Sequence, residues 1–233
     1  MWLGRIYMFA LLLLSLVKDL SMSYSEFTLA QVVEQFGLIV EERVDLFAPA
    51  PQAVPSPLLQ ANLDENVPLA LALQTEKARS ELIIAPILVE VRRQMKREVS
   101  LFSGVEFTVD AARGLNGVCD FLLSQSREQL FVRSPVLAIM EAKNEDIRRG
   151  IGQCTAAMIA AQLFNERQQN PIPAVYGAVT TGDIWRFLRL ESSTLYVDSA
   201  VYYLDNLREI LGVLLTIAGG NVRDQEKRTP THS

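Results

Sequence analysis

Two apolar segments of this chain end in charge. Residues 136–143 close on Glu141-Ala142-Lys143, and residues 117–121 carry a lone carboxylate, Asp120, between Cys119 and Phe121. A strand buried on both faces rejects unpaired charge, so charge at a strand end calls for a partner or a function. Side chains alternate along a strand, which puts Glu141 and Lys143 on one face and Ala142 on the other. If the two strands are neighbours, Asp120, Glu141 and Lys143 meet in one small volume. Two carboxylates and an ammonium in a cleft make a site for a hard divalent cation with a charge stabiliser beside it. Mg²⁺ or Mn²⁺ takes carboxylate and carbonyl oxygens and keeps several waters, so Asp120, Glu141 and the Ala142 carbonyl suffice as ligands. Lys143 orients or deprotonates the attacking water, or stabilises charge building on a phosphoryl group. Neighbouring carboxylates raise a lysine's pKa, which favours the stabilising role. Glu81, on a preceding helix, completes the metal shell through water or holds a second ion. Gln153, early in the next helix, hydrogen-bonds Lys143 or a phosphate.

Each of these residues has a plainer use. Asp120 and Lys143 form a simple ion pair at the sheet's end, Glu81 pairs with Lys77 four residues before it, and Gln153 lies on a helix surface. Asp110 rivals Asp120 because it follows the apolar residues 105–109, but Asp120 is apolar-flanked on both sides. Arg148 and Arg149 beside the site are placed to steer a polyanion. Arg92, Arg93, Lys96 and Arg97 suit either a phosphate backbone or a solvated helix face. Trp185 and Phe187 either stack on bases or pack in the core. Gly150-Ile151-Gly152 mimics a dinucleotide fingerprint, but Thr155 replaces the third glycine and no strand leads into the turn.

The elements that must position these groups follow from periodicity. Residues 27–36 read as a helix closed by Gly37, and residues 38–40 as a short strand. Residues 48–57, APAPQAVPSP, are too proline-rich for helix or sheet and read as a linker or strap. The core then opens near Thr75, a helix N-cap. Its helix runs to Arg97, with Pro86 forcing a kink or restart. Strands follow at 105–109, 117–123 and 136–141, then a long helix at 147–168 rich in alanine. Residues 174–181 and 184–190 form a hairpin turning at Thr181-Gly182-Asp183. A short strand at 195–197 and a closing helix at 202–218 complete the order αβββαββ(β)α. That order implies an α/β fold with a mixed central sheet flanked by helices. The division is an apolar segment 1–21, a helix and Pro-rich linker over 22–74, a core over 75–220, and a polar tail over 221–233.

The chain has 233 residues, 49% of them hydrophobic, enough to bury a sizeable core. A net charge of −5 argues against bulk electrostatic attachment to nucleic acid, though not against a local basic patch. Two cysteines, Cys119 and Cys154, with no CxxC pair, speak against a disulfide framework and a zinc-thiolate site, fit a reducing, cytoplasmic compartment, and read as small buried hydrophobes. The one histidine, His232, sits in the tail, which excludes Ser-His-Asp, Cys-His and histidine-metal chemistry in the core. Residues 6–17 are apolar and follow Arg5. They read as a stretch upstream of a true start at Met22, as a signal-peptide core, or as a membrane anchor. The Met22 start leaves no membrane segment.

Helix-Glu81, strand-Asp120, strand-Glu141-x-Lys143 and helix-Gln153 together resemble the PD-(D/E)XK nuclease superfamily, over roughly residues 76–191. EKARSELIIAPIL, LNGVCDFLLS and EAKNE are similar to stretches of an uncharacterised bacterial family. The resemblance implies a restriction-endonuclease-like core and Mg²⁺- or Mn²⁺-dependent hydrolysis of nucleic acid, DNA foremost. Its catalytic residues would be Lys143, Glu141, Asp120, Glu81 and Gln153, with Asp120, Glu141, Ala142 and Glu81 at the metal. The chain departs from the pattern at Cys119, where some members carry proline. It also departs at Ala157, where a Gln-x-x-x-Tyr motif has tyrosine, which puts a substrate contact from that helix in doubt. The competing expectation is a nuclease-like fold that binds nucleic acid or protein without turnover. The sequence leaves oligomeric state open, a homo-oligomer included.

Overall fold

The computed structural model describes residues 22–48 and 52–226. The start-site, signal and anchor readings of residues 1–21, the middle of the proline-rich strap and the tail from residue 227 lie outside the described residues. The strands are β1 (Ile39–Val44), β2 (Ser100–Glu106), β3 (Val118–Ser124), β4 (Val136–Ala142), β5 (Val175–Thr180), β6 (Ile184–Glu191), β7 (Thr194–Asp198) and β8 (Tyr202–Tyr203). Among the described residues they form one eight-stranded sheet in the order β1-β7-β6-β5-β4-β3-β2, with β8 also on β6. β4 runs parallel to β5 and β1 parallel to β7, and the other pairs are antiparallel. The sheet is therefore mixed, with helices on both faces, as the element order implies. Every residue of β4 is buried, which is why it reads as an unbroken apolar run.

The helices are α1 (Leu29–Phe36), α2 (Pro57–Leu73), α3 (Glu76–Arg79), α4 (Ala85–Gln94), α5 (Ile147–Arg167) and α6 (Leu207–Glu226), with a π-helical turn, Ser80–Ile84, joining α3 to α4. On one face Ile83, Ile87 and Leu88 of the π-turn and α4, with Leu211 and Leu214 of α6, pack on Phe121, Met140, Trp185 and Phe187. On the other face α5 lays Cys154, Ala157, Met158 and Ala161 against Leu122, Ile139, Val179 and Leu188. The small residues of α5 let its backbone approach the sheet closely, and that fixes the height of Gln153 above β4.

Thr75 caps α3, accepting the Ala78 N–H at 3.1 Å. Pro86 has no N–H to offer Leu82 and its ring crowds that carbonyl, so the helix widens into the π-turn and restarts. The restarted helix ends at Gln94 rather than Arg97, because Lys96 and Arg97 adopt left-handed backbone angles. Lys96 and Arg97 thus leave the expected basic helix face, and Arg93 is held by Glu90.

Besides the helix that stops at Gln94, the closing helix expected at 202–218 starts only at Leu207, because Tyr202 and Tyr203 pair with β6 as β8. Three more expectations differ from the observed elements. The strand expected at 105–109 lies at Ser100–Glu106, because its register is set by pairing with β3 (Ser100↔Ser124, Glu106↔Val118) and not by its own propensity. The segment read as 22–74 extension and linker supplies β1 to the sheet edge and a seventeen-residue helix, α2, capped by Ser56. Pro57 at N1 is compatible with a helix start, so the end of the proline run opens that helix instead of preventing it. The tail read from Asn221 is helical through Glu226.

Glu90 of α4 ties the strap to this face. It is buried and accepts from Ser56 N and Oγ at 3.2 and 2.9 Å, from Arg93 Nε and Nη2 at 2.9 and 2.6 Å, and from Gln94 Nε2 at 2.8 Å. The Arg93 bonds, with those from Gln94 and Ser56, hold the Glu90 carboxyl down at about 2. A carboxyl depressed in the folded state stabilises it above the unfolded value of 4.5, and that contribution fades as pH falls towards 2. Glu90→Ala is therefore expected to cost about 2 kcal/mol at neutral pH. In urea titrations its deficit against wild type should narrow as pH drops below 4.5.

Candidate functional site

Asp120 lies near the start of β3 and Glu141 near the end of β4, so antiparallel pairing brings both to one end of the sheet. The β3–β4 ladder stops at Phe121↔Met140, while β4–β5 continues through Ala142↔Thr180. The two strands part at the next residues, and the Asp120 carboxylate fills the seam, its Oδ2 accepting the Ala142 N–H at 2.8 Å. Backbone N–H groups of a ladder lie in the plane of the sheet, so this carboxylate does too. The flanking residues agree: Cys119 packs in the core on the α5 side and Phe121 in the opposite core, although they are two residues apart. The strand rotates across Asp120.

Glu141 points to the α5 face and is 0% exposed. Gln153, in the second turn of α5, donates its Nε2 hydrogen to Glu141 Oε2 at 2.6 Å. Lys143 Nζ stands 3.8 Å from the same oxygen, with its side chain 15% exposed. Glu141 Oε1 has no hydrogen-bond partner among the described residues. Burial drives the Glu141 carboxyl well above the usual carboxylate range, the negative charge of Asp120 adds to this, and Lys143 only partly opposes it. The Lys143 stem is positioned by Gly150. A Cβ there would meet Val179 Cγ1 at 2.5 Å and Lys143 Cγ at 3.0 Å. Gly152 likewise lets α5 touch the backbone at Thr28, 2.6 Å from where its Cβ would stand. The glycine pair that mimicked a nucleotide fingerprint is thus a packing device.

An open cleft of about 290 Å³ lies on the other side of the seam, lined by Glu76, Ser80, Glu81, Ser103, Asp120 and Ala142 among others. Glu81 stands at its rim, 61% exposed and ion-paired with Lys77 at 3.0 Å. The expected ligand set is therefore assembled only as Asp120, Glu141 and Ala142, because the exposed Glu81 is drawn to the lysine one helical turn away. Glu76 was not expected at the site. It lines the cleft, adds to the field that raises Glu141, and its side chain makes no ion pair or hydrogen bond among the described residues. Its signal in the sequence is the residue after the Thr75 N-cap, where an acidic side chain reads as a helix-dipole partner.

Asp110 is not a rival in space. It lies outside the strands and pairs with Arg167 at 3.4 Å. Lys143 pairs with Glu141, not with Asp120. Arg148 and Arg149 are exposed at the start of α5. Trp185 and Phe187 are fully buried in the core, which withholds them from bases. Cys119 and Cys154 are free, buried thiols pushed up by burial.

The donor chemistry suits a hard divalent cation. Two carboxylates converge, one buried oxygen lacks a partner, and a main-chain carbonyl is adjacent, while the thiols are protonated and packed away. Among the described residues no group of three or more His, Cys, Asp or Glu side chains is placed to hold a metal ion. Among the described residues, too, no helix is long and apolar enough to cross a membrane. No protein-family model matches the chain, and no curated protein matches it.

A carboxyl raised by folding binds protons that the unfolded chain releases, so the fold loses stability as pH rises above 4.5. In EDTA, Glu141→Gln is therefore expected to melt about 2–4 °C above wild type at pH 8. The gain should vanish at pH 4, and a thermal-melt series over pH checks the crossover.

Proposed function

We propose that this cleft hydrolyses phosphodiester bonds in nucleic acid, DNA foremost, as a Mg²⁺- or Mn²⁺-dependent enzyme of restriction-endonuclease-like type. The observation that carries the proposal is the meeting of Asp120 and Glu141 at an opened strand seam, with one orphaned carboxylate oxygen and Lys143 at 3.8 Å. Asp120, Glu141 and the Ala142 carbonyl are the groups that would hold the ion, with Glu76 and Glu81 reaching it through water. Bound there, the ion would polarise a phosphoryl oxygen and acidify a water. Asp120 is oriented for this by the Ala142 amide, which commits Oδ2. Gln153 holds Glu141 in a single rotamer through Oε2. Lys143, its stem laid across Gly150, presents its ammonium to charge developing on the phosphate. It acts as stabiliser rather than base, its Nζ standing 3.8 Å from Glu141 Oε2. Arg148 and Arg149 at the start of α5 draw the polyanion towards the seam.

A second reading, a nuclease-like module that binds without turnover, is favoured by the complete burial of Glu141 and its raised pKa. A protonated Glu141 would satisfy its own site without any cation.

The full chain, incubated with plasmid, single-stranded DNA and RNA in Mg²⁺, Mn²⁺ or EDTA, separates the two. The enzyme reading expects metal-dependent cutting that falls at least about 100-fold in Lys143→Ala. It also expects a metal-induced rise in melting temperature that Asp120→Ala abolishes, worth about 2.7 kcal/mol at a hundredfold excess over Kd. Absence of both cutting and metal stabilisation sinks the catalytic reading and leaves the module.

A further inference from the structure

Resting on the nuclease reading, we infer that Arg186 is a second phosphate-binding residue, which holds the phosphodiester flanking the one at the carboxylates. The register across the sheet places it. Glu141 of β4 is opposite Val179 of β5, and Val179 is opposite Arg186 of β6. Directly opposed residues share a face, so the three form one row, with Arg186 about 10 Å from Glu141 at the backbone. Trp185 and Phe187 on either side of Arg186 enter the core of the opposite face, which leaves Arg186 on the face that carries Glu141, Gln153 and Lys143.

Arg186 has no protein partner to explain it. Its Nε is buried without a hydrogen bond, and the side chain makes no ion pair or ring contact among the described residues. Two other half-buried arginines nearby are engaged through their Nη atoms or ring face, although their Nε atoms are also unbonded: Arg79 on the Thr181 carbonyl at 2.7 Å and Asp183 at 2.6 Å, and Arg189 on Glu191 at 3.3 Å and over the Tyr196 ring. A stem covering Val179 and Leu188 would be served as well by leucine. A half-buried guanidinium left unpaired costs stability, and its planar fork fits an oxyanion better than it fits water.

The charge layout gives the strand a direction. Asp120, Glu76 and Glu81 face the cleft on the α3 side, and Lys143 and Arg186 stand on the α5 side of the same seam, with Arg148 and Arg149 exposed at the start of α5. Val179 is buried under Gly150, so a phosphodiester chain reaching Arg186 from the carboxylates runs round the exposed start of α5, with one phosphate at Lys143 and the next at Arg186.

The test uses the full chain, with Ca²⁺ in place of Mg²⁺ to favour binding over turnover, and labelled single- and double-stranded oligodeoxynucleotides and RNA followed by fluorescence anisotropy across a KCl series. Arg186→Gln is expected to weaken binding about tenfold and to reduce the slope of log K against log[KCl] by about one. Arg186→Lys should keep the slope, and both variants should melt with wild type. Wild-type slope and affinity in Arg186→Gln would overturn the subsite while leaving the nuclease reading intact. Weaker binding with an unchanged slope and a lowered melting temperature would also overturn it, making Arg186 a packing residue. If wild type binds none of the three polymers, the functional reading itself falls, and the subsite with it.

Discussion

The organising constraint in this molecule is the removal of the Glu141 carboxylate from water. A charged carboxyl carried into the end of an all-buried strand costs several kcal/mol unless it is bonded, paired or neutralised. Much of the local architecture answers that cost without cancelling it. Gln153 takes one oxygen, Lys143 approaches the same oxygen from outside, and the second oxygen is left bare. Asp120 makes matters worse by adding a like charge from the neighbouring strand. An arrangement kept this far from electrostatic comfort is typical of functional sites, where a proton or a cation supplies what the protein withholds.

The parting of β3 from β4 opens Asp120 and Ala142 to the cleft, with Glu141 buried behind them. A continued ladder would have used the Ala142 N–H for a main-chain carbonyl. Instead the Asp120 side chain takes that hydrogen, and the seam opens on a cleft bounded by α3 and the π-turn. The two faces of the sheet then divide the labour. The α3 side contributes acidic groups and the α5 side contributes Lys143 and the arginines, so the site is polarised across the thickness of the sheet. Pro86 matters here at a distance, because the widened turn it forces sets how Ser80 and Glu81 meet the cleft.

Much of the site was legible before any fold was known, and particular residues show why. Asp120 and Glu141-x-Lys143 stand out because unpaired charge inside an apolar run is costly in any strand. Gln153 is legible only as a place in the helix that follows, and its bond to Glu141 depends on how closely α5 sits on the sheet. Glu76 was not legible at all, since an acid after an N-cap is explained by the helix dipole. Glu81 was legible as a choice between Lys77 and a metal, and it pairs with Lys77 at the rim of the cleft. Arg186 carries no signal in the sequence, because its lack of a partner exists only in three dimensions.

The sequence by itself determined the alternation of helix and strand over most of the core, the mixed α/β class, the charged strand ends and the absence of core histidine. Those properties follow from local periodicity, propensity and the cost of burying charge, which act over a few residues. Tertiary structure alone decided that β1 joins β7, that residues 57–73 become a helix, that β2 takes its register from β3, and that the ladder parts at Asp120. It alone also brings Glu141, Val179 and Arg186 into one row. Apart from the hairpin contact of Val179 with Arg186, these depend on contacts between segments distant in sequence, and the free energy that selects them comes from shared burial and pairing that no single segment carries.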